Sequence, residues 1–119
     1  MSYAFLNKAN LSGAYLIEAN LKDALLYEAD LSVSKLRRAN LGGAHIEKAN
    51  LRYAFLNGAF LGGANLIEAN LSQAHLYVAD LSGAKLSGAD LSGAEVTTEQ
   101  LDKAKSLKGA TMPDGSIHP

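Results

Sequence analysis

The chain has 119 residues, 48% of them hydrophobic, and a formal net charge of −1 with a sequence pI near 6.3. That length holds a single domain with one core, and so even a charge balance sets up no field to gather nucleic acid, anionic lipid or a strongly basic partner. Cysteine is absent, which excludes disulfides, thiolate chemistry and zinc–thiolate sites. No apolar run reaches the roughly 18 residues of a membrane span, and Met1 to Leu6 lack the basic and apolar regions of a signal peptide. A soluble cytoplasmic protein is expected, unless a leader precedes it.

From Ala4 onward an aliphatic residue, nearly always leucine, falls on every fifth position from Leu6 to Leu101, and an alanine sits two places before almost every one. Five residues advance a helix by about 500°, so these leucines would spiral around all its sides. In a flat strand the odd spacing would send successive leucines to opposite faces, although Ala4 and Leu6 share a side. A regular corner reconciles the two. If each Ala-x-Leu triplet is extended and the next two residues turn the chain, every Ala and Leu points to one axis. Four corners then close a coil of twenty residues, and stacked coils pair as parallel strands about 4.8 Å apart.

The second corner residue is glycine at Gly13, Gly43, Gly58, Gly63, Gly83, Gly88 and Gly93, which suits the positive φ of a type II turn. Lys8, Glu18, Arg38, Tyr53 and Val78 hold the same place, so a mixture of type I and type II corners is expected. Between Ala and Leu, the middle residue is Asn or Asp in every second unit. With four units per coil, Asn10, Asp30, Asn50, Asn70 and Asp90 stack on one side, and Asn20, Asn40, Phe60 and Asp80 on the opposite one. Their short side-chain oxygens are expected to bond backbone groups at the turns. Asp30 and Asp90 lie three coils apart, too far to act as an acid–base pair.

The tandem units, for example Ala9-Asn10-Leu11-Ser12-Gly13 and Ala79-Asp80-Leu81-Ser82-Gly83, resemble the pentapeptide repeat family, and they run through residues 4 to 98. The tail, with Lys108-Gly109-Ala110 and Met112-Pro113-Asp114-Gly115, resembles those of cyanobacterial members. The resemblance implies an all-β fold, a right-handed quadrilateral parallel β-helix of about five coils. It implies a non-enzymatic structural or interaction role. For a minority of the family it implies mimicry of DNA that protects gyrase from quinolones.

Residues 3–44 match 53–94 at most positions, including Tyr3/Tyr53, Phe5/Phe55, Ile17/Ile67, Glu18/Glu68, Tyr27/Tyr77 and Lys35/Lys85. An offset of fifty residues is two and a half coils, so the copied features land on opposite sides. The repeat, residues 1–96, breaks at Val96, and 97–119 read as a C-terminal cap. Thr97 and Gln100 form a capping box, Leu101, Ala104 and Leu107 an apolar stripe, and Gly109 a stop, which predicts a helix over about 98–108 laid across the last coil. Pro113-Asp114-Gly115 reads as a turn between two short extended pieces. No such cap precedes Ala4, so either an upstream segment or a head-to-head second copy is expected to cover the N-terminal coil.

Catalytic signals are sparse. His45 and His75 are one and a half coils apart and face opposite ways, so they cannot share a metal ion, and His118 lies in the tail. The serines occupy corner slots outside any Gly-x-Ser-x-Gly setting, and Gly42-Gly43 and Gly62-Gly63 lack the Lys-Ser/Thr and helix of a phosphate loop. No catalytic residue, metal site, cofactor or small-molecule substrate is expected, and neither nucleic acid nor membrane as partner. What remains is the outer surface. Phe5, Leu25, Tyr27 and Ile67, with His45, fall on one side, and Tyr15, Ile17, Phe55 and Tyr77, with His75, on the other. Exposed apolar groups so gathered mark a contact surface for a protein partner or stabilise the rod by stacking between coils. Mimicry of DNA is the weaker reading, because 12 acidic residues are offset by 11 basic ones and Arg37, Arg38 and Arg52 interrupt any acidic stripe.

Overall fold

A computed structural model describes residues 3–119. Parallel bridges join residues twenty apart, from Phe5↔Leu25 to His75↔Glu95, and so sort the chain into four sides. Side one stacks Phe5, Leu25, His45, Asn65 and Lys85; side two Asn10, Asp30, Asn50, Asn70 and Asp90; side three Tyr15, Lys35, Phe55, His75 and Glu95; side four Asn20, Asn40, Phe60 and Asp80. The resulting rod measures 35 × 24 × 23 Å. Its axis is filled by Ala and Leu, which from Leu21 to Leu91 are almost completely buried. Ser34 stands in one Ala slot. Its hydroxyl is buried but satisfied, donating to the Leu31 carbonyl at 2.6 Å.

Backbone accounting explains why five residues make one side. In a typical unit the Leu N–H donates to the middle carbonyl of the next coil, as Leu11 does to Asp30 at 2.7 Å, and the middle N–H donates to the Ala carbonyl of the preceding coil, as Asp30 does to Ala9 at 2.9 Å. The corner closes on itself when Ala14 N–H donates to the Leu11 carbonyl at 3.0 Å. The second corner N–H donates upward to the first corner carbonyl, as Gly13 does to Ser32 at 2.9 Å. One donor is left, the N–H of the first corner residue. The Asn and Asp side chains accept it: Ser12 donates to Asn10 Oδ1 at 3.1 Å, Gly42 to Asn40 at 3.0 Å, and Ser92 to Asp90 at 2.9 Å. The polar columns of sides two and four are therefore turn caps, as their residue types foretold.

The corners are not mixed. Every second corner residue from Tyr3 to Gly93 has positive φ, non-glycine residues included, from 56° at Glu28 to 71° at Gly83. Types I and II differ by a flip of the central turn peptide. Here that peptide carries the Gly13-type N–H and the Ser12-type carbonyl, both committed to the ladder between coils. A type I corner would reverse both groups and break two hydrogen bonds of about 1 kcal/mol each, which offsets the left-handed strain of a side chain at Arg38; at Val78 one of the two remains, from Gly58 N–H to the Tyr77 carbonyl.

The C-terminal reading needs a second correction. The helix, α1, spans Thr98–Asp102, with Thr97 as N-cap and the capping box with Gln100 in place. It does not extend to 108. The chain then re-enters the coil: Lys105 N–H donates to Ala84 in the regular register, and from Ser106 the coil runs one residue late, with Lys85 paired to Ser106 and Asp90 to Thr111. Leu107 and Ala110 thus take solenoid places rather than a helical stripe; the spacing Leu107-Lys108-Gly109-Ala110-Thr111-Met112 repeats the Leu-x-Gly-Ala-x-aliphatic pattern and carried that signal. Gln100 also does more than close the box. Its Nε2 donates to the Leu76 and Ala79 carbonyls at 2.6 and 2.9 Å, the second being the acceptor that the next strand of side four would have used. The tail then turns at Pro113-Asp114-Gly115 and pairs Ile117 antiparallel with Thr111. At the other end Leu6, Leu11 and Leu16 are only partly buried.

Carboxylate caps respond to acid. The Ser32 hydroxyl, then the Ser32 N–H, hold Asp30 below its ordinary 3.8, and Ser82 does the same for Asp80. A lowered folded value adds stability above the unfolded value, and that stability is lost as pH falls through the folded one.

Three outcomes follow from this geometry. Leu56→Asp places a charge in the dry axis and is expected to abolish the β signal in circular dichroism. Lys48→Gly, at φ 58°, relieves left-handed strain and is expected to raise the thermal midpoint by the equivalent of roughly 0.5–1 kcal/mol; a fall would mean that the corner does not hold Lys48 in that conformation. Asp30→Asn keeps the acceptor, as Asn70 does on the same column, so it should match the parent at neutral pH and lose less stability below pH 3.8. Asp30→Ala should cost about 1 kcal/mol at neutral pH.

Candidate functional site: the stacked outer sides

Because coils lie in register, side chains at equal places form columns along the rod. On side three the column is continuous. Lys35 Nζ lies 4.9 Å from the Tyr15 ring centroid, the Arg37 guanidinium 5.6 Å from that of Phe55, and Phe55 stacks on His75 at 4.8 Å with planes 6° apart. His75 Nδ1 meets Glu95 Oε1 at 2.5 Å. The corner beside it carries Ile17, Arg37, Asn57 and Tyr77 in its first places and Glu18, Arg38, Gly58 and Val78 in its second, with Arg38 3.8 Å from Glu18. Arg52, on the other flank, lies 5.1 Å from the Tyr53 ring.

Side one and its following corner are built differently. Lys8, Glu28, Lys48 and Glu68 alternate in sign along one corner column, with Lys8 and Glu28 4.0 Å apart. His45 Nδ1 lies 3.8 Å from Glu47. A concavity of about 310 Å³ near the N-terminal coil is lined by Tyr3, Phe5, Asp23, Leu25 and His45.

The residues anticipated as a contact surface separate accordingly. Phe5 and Leu25 are neighbours on side one, with Tyr27 and Ile67 on its corner; Tyr15 and Phe55 share side three, with Ile17 and Tyr77 on its corner. Phe5 is 85% exposed and Tyr15 82%, and Ile17, Tyr27 and Tyr77 are exposed as well. Leu25, Phe55 and Ile67 are half-buried, Phe55 because His75 and Arg37 cover its faces. The two copies of the internal duplication occupy opposite sides, with Phe5 on side one and Phe55 on side three.

Several exposed residues escaped the pattern reading: Tyr3, Val33, Tyr53, Phe60 and Val78, the last at 85% exposure. Four of them sit in second corner places where glycine is the unstrained choice, and that departure was visible in the sequence. Phe60 replaces an Asn or Asp cap. The clustering of Lys35, Arg37, Arg38 and Arg52 was missed too, since it needs the four-sided register to bring residue 52 beside residue 35.

No group of three or more His, Asp or Glu residues that could hold a metal ion occurs among the described residues, and no helix there is long and apolar enough to cross a membrane. A concavity of about 470 Å³ at the C-terminal end mixes Val96, Leu101, Leu107 and Met112 with Asp102, Asp114 and His118.

The chain is similar to HetL, a pentapeptide repeat protein involved in heterocyst differentiation regulation from the cyanobacterium Nostoc sp. strain PCC 7120. Identity is 32% over 99% of this chain and 68% of that one, with a TM-score of 0.42. A pentapeptide repeat protein from the thylakoid lumen of Arabidopsis thaliana is similar at 27% identity, over 98% of this chain and 70% of that one, with a TM-score of 0.51. QnrB1, a plasmid-mediated fluoroquinolone resistance protein, matches at 21% identity over 94% and 74%, with a TM-score of 0.49. No curated protein matches the chain. The family model for pentapeptide repeats matches in 8 copies, over residues 1–32, 24–63, 44–77 and 61–97. With most of its length in that match and its coils closing every twenty residues, the chain belongs to the pentapeptide repeat family.

Proposed function

We propose that this protein is a non-enzymatic interaction module, a rigid rod whose outer sides dock a protein partner. The observation that carries the reading is the pair of variable sides, where Phe5, Tyr15, Ile17 and Tyr77 stand exposed on a scaffold that buries every other large aliphatic column. Rigid presentation of aromatic anchors lowers the ordering cost of binding. The finer architecture belongs to the same reading: a right-handed coil of about five turns, closed at its C-terminal end by α1 and the tail hairpin.

Partly exposed Leu6, Leu11 and Leu16 add a second surface, which either preceding residues or a head-to-head second copy would cover. Mimicry of DNA is the competing function. It asks for closely spaced negative charge along the rod, whereas the side-two column separates Asp30 from Asp90 by the neutral Asn50 and Asn70.

Affinity capture from the source organism tests the reading, comparing the parent with Tyr27→Ser/Phe55→Ser/Tyr77→Ser. The expected result is a defined partner whose retention falls about tenfold or more in a variant that keeps its circular dichroism spectrum. Equal retention by both proteins would count against these columns as the contact. Inhibition or protection of gyrase in a supercoiling assay would move the assignment to the competing class.

A further inference from the structure

We infer that side three, with the corner following it, is the docking surface, and that its partner is a protein segment presenting carboxylates beside an aliphatic residue. This rests on the interaction-module reading and narrows it to one side and one chemistry. All three arginines of the chain, Arg37, Arg38 and Arg52, lie on this side and its flanks together with Lys35, across two adjacent coils. The acidic residues near them are Glu18 and Glu95. Side one and its corner alternate Lys and Glu and offer no such excess. A protein with a net charge of −1 therefore carries a local cationic field on one long side.

The positions suit carboxylates in particular. Arg37 holds its guanidinium 5.6 Å from the Phe55 ring centroid, and a guanidinium is the group that grips a carboxylate in bidentate fashion. On the corner column, Gly58 falls between Arg38 and Val78. The missing side chain opens a notch of about 300 Å³ lined by Arg37, Arg38, Asn57, Gly58, Tyr77 and Val78. A Cβ at Gly58 would stand only 3.4 Å from Arg38 Cγ. The notch has two arginines on one wall and a tyrosine and a valine on the other, room for an acidic side chain next to an apolar one. Arg and Tyr are also the residue types that concentrate binding energy at protein interfaces.

Single-stranded nucleic acid would need ring faces on which bases stack. Phe55 offers none, being sandwiched between Arg37 and His75 along the column, and Tyr15 is the one widely exposed ring in the middle places of this side, so the column has no run of free faces for successive bases. The arrangement favours a protein.

Full-length protein, labelled with nitrogen-15, would be titrated with three probes: a Glu-rich peptide with interspersed Leu, its counterpart with Gln for every Glu, and an oligothymidylate. The expected result is saturable, salt-sensitive binding of the Glu peptide, with amide shifts confined to the surroundings of Arg37, Arg38, Gly58 and Tyr77. Arg37→Gln/Arg38→Gln, which alters two exposed side chains, should weaken it about tenfold or more. Shifts spread over all four sides, equal affinity in the double variant, tighter binding of oligothymidylate, or no titration at all would each overturn the inference. A photocrosslinker placed at Tyr77 on side three, or at Ile67 beside side one, separates this from failure of the module reading. A partner trapped only from Ile67 removes side three but leaves an interaction protein, and no partner from either position removes both.

Discussion

The central peptide of each corner is the constraint on which the structure depends. Its N–H donates to the equivalent peptide of the next coil while its carbonyl accepts from the one before, as in Gly13 to Ser32 or Lys8 to Tyr27. Because the bond runs from coil to coil, no corner can choose its turn type alone. A flip at one level would orphan a donor there and an acceptor at its neighbour. The same bonds fix the register at twenty residues, and the register aligns the Ala and Leu positions into a sealed axis. Local strain at Arg38 or Tyr53 is tolerated since two ladder bonds and the axial packing oppose its relief.

That constraint divides the chain into positions that cannot vary and positions that can. Ala and Leu are bound by the size of the axis. The middle place is free on the outside, yet Asn or Asp there satisfies the one backbone donor that the ladder leaves unused. Sides two and four accept that bargain almost throughout. On sides one and three the middle places carry rings, cations and aliphatic groups, and most of the first corner N–H groups beside them go without such a cap. The variable sides thus give up local hydrogen bonds for side chains that project outward.

Much of the fold was legible because a period of five admits few solutions. Neither helix nor flat strand accommodates Leu6, Leu11 and Leu16 on one face, and the caps, the duplication and the Thr97–Gln100 box all follow from residue types at fixed offsets. Turn type was not legible, since intrinsic preference at Lys8 or Val78 says type I while the neighbouring coils dictate type II. Helix length misled for a related reason. Leu101, Ala104 and Leu107 fit a helical stripe as well as they fit a chain returning to the coil, and only pairing of Lys85 with Ser106 decides between them. The cationic grouping on side three is long-range information: the coil register sets Arg52 over the Ser32–Val33 corner, on the flank of the side that carries Lys35, and sequence spacing alone does not express that.

Departures from the least strained residue are then the most telling feature of such a solenoid. A glycine in the second corner place carries no steric cost at φ near 60°, yet this chain puts tyrosine at Tyr53, arginine at Arg38 and valine at Val78. Each accepts left-handed strain of about 1–2 kcal/mol to project a large side chain into water, and Val78 gains almost no burial in return. At Gly58, between two of these, the unstrained choice is kept, and the result is a notch rather than a ridge. Strain alone would favour glycine at 38 and 78 as well as at 58, and the corner of side one accepts the same strain at Lys8, Glu28, Lys48 and Glu68. What sets the corner beside the arginines apart is the alternation of projection and gap at Arg38, Gly58 and Val78.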